Sequence, residues 1–346
     1  MTKIESVMED QEYQLLRETV AAFAAKELAP HAEELDLDRD PALLTDLASR
    51  ASGMGLLAAL VPEQKGGGGL DEYAFCAALE EIAVQEAGFA ASLLVHNAAI
   101  YPVSFSAVEL DIRDSYPACL AYPGKVSISN GNLQGRAPFA YNAQGCPLMT
   151  VLPADEGGAL AALLEPSQGL EIKMDPYPMG LRAARPGSID FTSAPASRII
   201  SEPDLTGSVS RILFLGIAAI AIGIIRNSLS KAYDYARQRY QAGKMIIEHQ
   251  QLRIFLAEMI AAVEQARSAV KNACETREIG AAVAAWLLAT DRAVKAATDG
   301  VQIHGGYGYM RDYGMERLMR DSKYCQMYPM TSQAALLRLL ELYEKE

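Results

Sequence analysis

Gly305 and Gly306, within the stretch Val301 to Gln333, are the residues whose type and setting first suggest chemistry. With no side chains in the way, backbone there can come close to a ligand. The stretch continues through a charged segment, Arg311 to Asp321, which reads as the salt-bridged, solvated start of a helix. It ends on Tyr328-Pro329-Met330-Thr331, where Pro329 brings neither a carboxylate nor a backbone N–H. His304 sits inside the glycine turn and reads as a packed or partly exposed neighbour, while His31 and His96 read as surface or internally satisfied helix histidines. Gly66 to Gly69 could suggest a phosphate cradle, yet no Lys-Ser/Thr follows and no strand-to-helix pattern surrounds them. A plain flexible connection is expected there. The five cysteines (Cys76, Cys119, Cys146, Cys274, Cys325) show no CxxC or Cys/His spacing for metal or redox work. Buried, reduced thiols in a cytoplasmic protein are the expectation.

These residues need elements to position them. The 346 residues, half of them apolar, leave room for two or three modest domains with a large core. With 43 acidic against 31 basic side chains and no Lys/Arg cluster, the chain lacks the footprint of a nucleic-acid binder, and membrane adsorption is disfavoured for the same reason. The start MTKIESVMEDQEYQ is acidic and has no apolar core, so no secretory leader is expected. Ile212 to Ile225 is the most apolar run; it falls short of the roughly 20 residues that cross a bilayer and predicts a buried core helix.

Leu15, Leu16, Val20, Phe23 and Leu28 fall at helical spacing, and helices are expected over about 8–35, 41–53 and 71–100, with Glu80 and Glu81 on a solvated face. After Pro117, Gly, Pro, Ser and Asn become frequent, and short apolar runs such as VSIS, NLQGRAPFAY, PLMTVLPA and GALAALLE predict strands. Helical texture then returns over about 207–240, 248–275, 279–304 and 316–344, predicting a bundle with Trp286 in its core. The fold class is therefore α+β: an N-terminal helical domain (1–117), a small middle β-barrel or sandwich domain (118–206) and a C-terminal four-helix bundle (207–346).

That plan, with three local motifs, resembles the acyl-CoA dehydrogenase family over essentially the whole chain. The motifs are LLRETVAAFAAKELAPHAEELD followed by MGLLAALVPEQKGGGGLD, RQRYQAGKMIIEHQ from Arg237 to Gln250, and the Val301 to Gln333 stretch. The resemblance implies FAD-dependent oxidation of an acyl-CoA thioester to the enoyl thioester, FAD bound between subunits, and an electron-transfer flavoprotein as acceptor. In the family, a glutamate in Tyr-Glu-Gly-Thr removes the α-proton and lends its backbone N–H to the thioester oxygen. Here Pro329 occupies that position, so the chain is assigned no catalytic residue. The alternative base position, on the helix containing Val209 to Ile225, holds no Asp or Glu.

Other departures fall in the β domain. The flavin-facing loops of the family are reduced here to Leu120 to Gly124 and to Phe139-Ala140-Tyr141, and Phe139 is either a flavin-stacking ring or an ordinary core aromatic. By contrast, the ADP-binding surface that the family offers to a neighbouring subunit is mostly kept. The resemblance implies Arg239 for the pyrophosphate and Gln302 with Gly305 and Gly306 as the phosphate-approaching turn. It also places His249, Gln250, Thr331 and Gln333 among the cofactor-binding positions, while Ala242 stands where the family has Phe.

The asymmetry matches a subunit lacking the base in a heteromeric, α2β2-type acyl-CoA dehydrogenase, as in bacterial steroid side-chain catabolism. Such a subunit completes the FAD site of a homologous, glutamate-bearing partner that binds most of the acyl-CoA. Two alternatives stay open. One is a homo-oligomeric flavoenzyme with another base, for which Tyr122, Tyr141 or Tyr328 would need a hydroxyl pKa of about 10 to shift strongly. The other is a non-enzymatic assembly subunit.

Overall fold

A computed structural model of the chain describes residues 3–37, 41–106, 116–153, 159–165 and 168–344. The first helices are α1 (Lys3–Phe23), α2 (Ala32–Leu37), α3 (Pro41–Ala51), α4 (Glu72–Gln85) and α5 (Ala87–Ile100). The single helix expected over 8–35 is interrupted after Phe23 by a π-helical turn, Ala24–Leu28, and a 3-10 turn, Ala29–His31. Pro30 lies in that second turn and has no N–H to continue an α-helical ladder.

The central sheet comprises β1 (Cys119–Ala121), β2 (Lys125–Ser129), β3 (Asn132–Tyr141), β4 (Met149–Val151), β5 (Leu160–Leu164), β6 (Leu170–Met174), β7 (Gly187–Pro195) and β8 (Arg198–Ser201). Their order is β6-β7-β3-β1-β4-β5-β8, with β2 added to β3. Pairing is antiparallel except between β1 and β4. Ala154 and Gly158, at the ends of two expected strands, lie outside the described residues. Alternating inward residues such as Val126, Leu133, Ile189 and Phe191 fill the core of the sheet domain. The register of β3 on β7 slips between Ala137 and Ala140. Pro138 cannot donate to the ladder there. Phe139, in the slipped segment, is 43% exposed, which rules out the reading of it as a core aromatic.

Next come α6 (Leu205–Gln238), β9 (Tyr240–Gln241) and β10 (Lys244–Met245), then α7 (Gln250–Thr276), α8 (Ile279–His304), α9 (Met315–Cys325) and α10 (Ser332–Tyr343). The last helix expected from the sequence, over 316–344, is therefore two helices. Pro329 interrupts the backbone ladder between them and disfavours helix at Tyr328. Thr331 then caps α10, its Oγ1 accepting the Ala334 N–H at 3.3 Å. By length and composition α6 could cross a membrane, but its most apolar window is 89% buried inside the protein, as a core helix would be.

The chain divides into two compact units, residues 25–75 with 88–213, and residues up to 24 with 76–87 and 214 onward. The first holds the sheet. Within it Thr150 Oγ1 donates to the Ala99 carbonyl at 2.7 Å, and Asn142 Nδ2 donates to Ser92 O at 2.9 Å, so α5 is fastened to β4 and to the residue that follows β3. His96, on the same helix, is fully buried rather than at the surface, and its Nδ1 accepts the Ala118 N–H at 3.0 Å. Burial pushes its pKa down to about 3. The four-glycine run is packed, not a flexible connection: Gly68 N–H reaches Ala58 O at 2.8 Å and Gly69 N–H reaches Val61 O at 2.9 Å. A Cβ on Gly67 would overlap the Val61 carbonyl. Those donors are spent on the chain itself.

The second unit holds the bundle. Trp286 is buried in it as expected, with Nε1 donating to Cys325 O at 3.1 Å and the ring edge-on to Phe214 at 5.4 Å. Glu80 and Glu81, expected on a solvated face, are 3% and 6% exposed. Arg17, Arg226 and Arg267 donate to Glu80, and Arg17 and Arg226 also pair with Glu81 at 2.7 and 2.8 Å. Guanidinium groups brought in from distant sequence replace the water that the carboxylates would otherwise need.

Candidate functional site

Five of the sequence-predicted positions meet where α6, α7 and α8 end or begin. After α6 the Arg239 N–H still bonds to Tyr235 O at 3.0 Å. The chain then folds back through β9 and β10, with Ala242 and Gly243 at φ of 53° and 83° in the turn. His249 is the residue before α7, its Nε2 lying 3.3 Å from Gln241 O. At the far end of α8, Gly305 adopts φ 59° and ψ −135°, a conformation close to glycine-only, and its N–H is committed to Gln302 O. The chain continues as a 3-10 turn, Gly305–Tyr309.

These segments enclose a cavity of about 1090 Å³. That volume stands at the top of the roughly 300–1,000 Å³ range of small-molecule sites. Arg239, His249, Gln302, Gly305 and Gly306 all line it. Gln250 does not, because α7 turns its neighbour Gln251 to the wall instead. Thr331, Gln333 and Phe139 also lie off this wall. Thr331 is engaged as the cap of α10, and Phe139 belongs to β3 in the sheet unit.

Sequence reasoning missed an aromatic wall made by Tyr235, His304, Tyr307 and Tyr313. A signal was available for Tyr235, which precedes Arg239 by one helical turn and so shares its face. His304, expected from the sequence to be a packed or partly exposed neighbour, is 4% exposed and stacked on Tyr235.

The wall carries one guanidinium, Arg239, and one carboxylate, Asp312. Arg239 is exposed, and among the described residues no carboxylate pairs with it. Its guanidinium lies over the Tyr307 ring instead. Gly306 has an ordinary φ, and a Cβ built on it would meet nothing within 4 Å. The protein itself does not require glycine there, so the missing side chain leaves room for an incoming group. A free guanidinium, a side-chain amide and a backbone open to close approach, backed by aromatic rings, can hold the diphosphate and ring system of a nucleotide.

The other predicted position gives the opposite picture. Tyr328 is 2% exposed and Pro329 is buried, so the position that the resemblance assigns to the base holds no carboxylate. Residues 212–225 of α6 are buried and wholly uncharged, so the alternative position offers no base either.

A helical domain, a central sheet and a helical bundle carrying a nucleotide-sized cavity define the class of protein. The family model "Acyl-CoA dehydrogenase, N-terminal domain" matches residues 10–108, and "Acyl-CoA dehydrogenase, C-terminal domain" matches residues 213–340. An acyl-CoA dehydrogenase of Bacillus subtilis (strain 168) is 32% identical over 371 aligned residues, spanning 93% of this chain and 95% of that protein. Butyryl-CoA dehydrogenase from Megasphaera elsdenii shares the fold with a TM-score of 0.81 at 24% identity, over 99% of this chain and 98% of its own. PigA with FAD and proline shares it with a TM-score of 0.85 at 19% identity, over 96% of this chain and 97% of its own. The chain belongs to the acyl-CoA dehydrogenase family of FAD-dependent oxidoreductases. The unpaired Arg239 and the open space over Gly306 fit the ADP part of that cofactor.

Proposed function

We propose that this chain is the base-lacking subunit of a heteromeric acyl-CoA dehydrogenase, completing the FAD site of a homologous, glutamate-bearing partner. One contrast carries the reading: the bundle keeps a cavity with an unpaired Arg239 and an open Gly306, while Pro329 is buried where the family places its base. Arg239 holds the pyrophosphate, Gly306 leaves room for it, and Gln302 and His249 complete the wall. Gln250, Thr331, Gln333 and Phe139 lie off this wall and enter the reading only as positions that an assembled oligomer brings to the cofactor.

Bound FAD supplies the hydride acceptor for α,β-dehydrogenation of an acyl-CoA thioester. This chain's residues bind and orient its ADP part. Proton removal falls to the partner, because Pro329 offers neither a carboxylate nor an oxyanion N–H. The partner accordingly binds most of the acyl-CoA. An electron-transfer flavoprotein as acceptor, a cytoplasmic location and a place in lipid or steroid catabolism accompany the reading by family relationship.

Co-expression with a glutamate-bearing homologue should yield an assembly with half as many FAD molecules as chains, and this chain alone should be colourless. A tightly held FAD on every chain purified alone, bleached on addition of an acyl-CoA, would overturn the reading in favour of a homo-oligomeric flavoenzyme.

A further inference from the structure

His304 stands in the cavity wall with its ring fixed on several sides. It stacks on Tyr235 with centroids 4.4 Å apart and planes 24° from parallel, and meets Tyr313 edge-on at 5.7 Å. Its Nδ1 lies 2.8 Å from the Gly300 carbonyl oxygen. A carbonyl only accepts, so Nδ1 carries the proton. Burial, with the charge of nearby Lys231, holds the imidazole pKa below its ordinary value and keeps the ring neutral. Nε2 is then left with a lone pair. It has no partner among the described residues and is not among the polar atoms sealed inside the protein, so it opens on the cavity.

A bare acceptor selects what can sit beside it. The diphosphate of FAD is esterified at both ends and carries no proton near neutral pH, so it offers acceptors only and gains nothing there. Donors in an adenine nucleotide are found on the adenosine: the 6-amino group of the base and the ribose hydroxyls. Resting on the reading of the cavity as a site for the ADP part of FAD, we infer that His304 Nε2 accepts a hydrogen bond from the adenosine and makes this residue a specificity determinant for the cofactor. Arg239 and Gly306 would then serve the diphosphate while His304 reads the nucleoside, dividing one cavity into a charged part and a reading part.

Calorimetric titration of the full chain with ADP, IDP, 2′-deoxy-ADP, 3′-deoxy-ADP and inorganic pyrophosphate tests this. IDP lacks the amino group, and each deoxy analogue lacks one ribose hydroxyl. The wild-type chain should bind one of these three about tenfold more weakly than ADP, the usual loss for one hydrogen bond to a buried partner, and the weaker one names the donor. His304→Phe keeps the stack and removes the acceptor. It should weaken ADP by about tenfold, leave pyrophosphate unchanged, and abolish the discrimination; His304→Gln, which offers a carbonyl oxygen, should recover part of it. Should His304→Phe fail to fold, the wild-type comparison decides alone, since equal affinity for ADP, IDP, 2′-deoxy-ADP and 3′-deoxy-ADP overturns the inference. Equal weakening of ADP and pyrophosphate by His304→Phe also overturns it. If the wild-type chain binds no ADP at all, the nucleotide reading of the cavity falls as well; if ADP binds normally to His304→Phe, only the role of His304 falls.

Discussion

The guanidinium carbon of Arg239 lies 6.0 Å from the centroid of the Tyr307 ring. This contact joins the turn after α6 to the turn after α8 and holds a cation at the cavity without using its N–H donors. A cation over an aromatic face is worth about 0.5–1 kcal/mol at an exposed site, enough to bias the side chain's position and little enough to let it engage a ligand.

Arg239→Ala should therefore separate binding from folding. The substitution breaks no ion pair found among the described residues, so the thermal midpoint of the chain should hardly move. A lost charge-assisted contact to pyrophosphate costs about 1.5–3 kcal/mol, so FAD affinity of the assembly should fall by at least tenfold. Flavin absorbance per chain, measured beside the midpoint, checks both halves. Unchanged flavin content would assign the cavity to something other than FAD.

Two neighbouring glycines should behave differently. A Cβ on Gly306 meets open space, so Gly306→Val should leave stability within about 0.5 kcal/mol and weaken nucleotide binding by blocking close approach to the backbone there. A Cβ on Gly308 would come within 2.5 Å of the Val301 carbonyl oxygen. Gly308→Ala should cost about 1–3 kcal/mol through overpacking, read as a lowered denaturation midpoint.

Glu80→Gln should be among the more damaging single changes in the bundle unit. It removes the carboxylate that Arg17, Arg226 and Arg267 share, and breaking a buried ion pair in this way costs about 3–5 kcal/mol. Burial raises the Glu80 pKa, but the hydrogen bond from Arg267 and the charges of Arg17 and Arg226 outweigh it and hold it below the usual value. A depressed folded-state pKa gives stability that is full above the unfolded pKa of about 4.3 and is lost as pH falls through the folded one. The gap between wild type and Glu80→Gln in denaturant unfolding should thus be widest near neutral pH and narrow below about pH 4.

His96 should shape the acid limb of stability in the sheet unit. Its folded pKa of about 3 lies under the unfolded value of about 6.5, so its neutral form favours folding above that value. Between the two, unfolding takes up one proton, and stability falls by as much as about 1.4 kcal/mol per pH unit. His96→Asn, which retains an acceptor for the Ala118 N–H, should show a shallower loss between pH 6 and about 4 when unfolding is followed by pH titration.

Much of the architecture was legible without coordinates. The helical texture of about 207–240 and 279–304 announced helices, and the short runs after Pro117 announced strands. Trp286 among alanines and leucines announced a core. The glycine run from Gly66 misled, because composition reports freedom of the backbone and is silent on what packs against it. Phe139 was ambiguous for a related reason: the register slip that holds it is set by pairing with β7, which is remote in sequence.

The sequence by itself determined the family, the order of the three structural parts and the absence of a carboxylate and an N–H at Pro329, since each depends only on residue identity at a given place in the chain. It also named Arg239, Gln302, Gly305 and Gly306, all of which reach one cavity. Tertiary structure alone decided that Glu80 and Glu81 are buried, that Tyr235, Tyr307 and Tyr313 wall the cavity, and that His304 joins that wall with Nδ1 engaged by the Gly300 carbonyl. Helical spacing fixes which residues share a face; what that face meets depends on segments such as Arg17, Arg226 and Arg267 that only folding brings together.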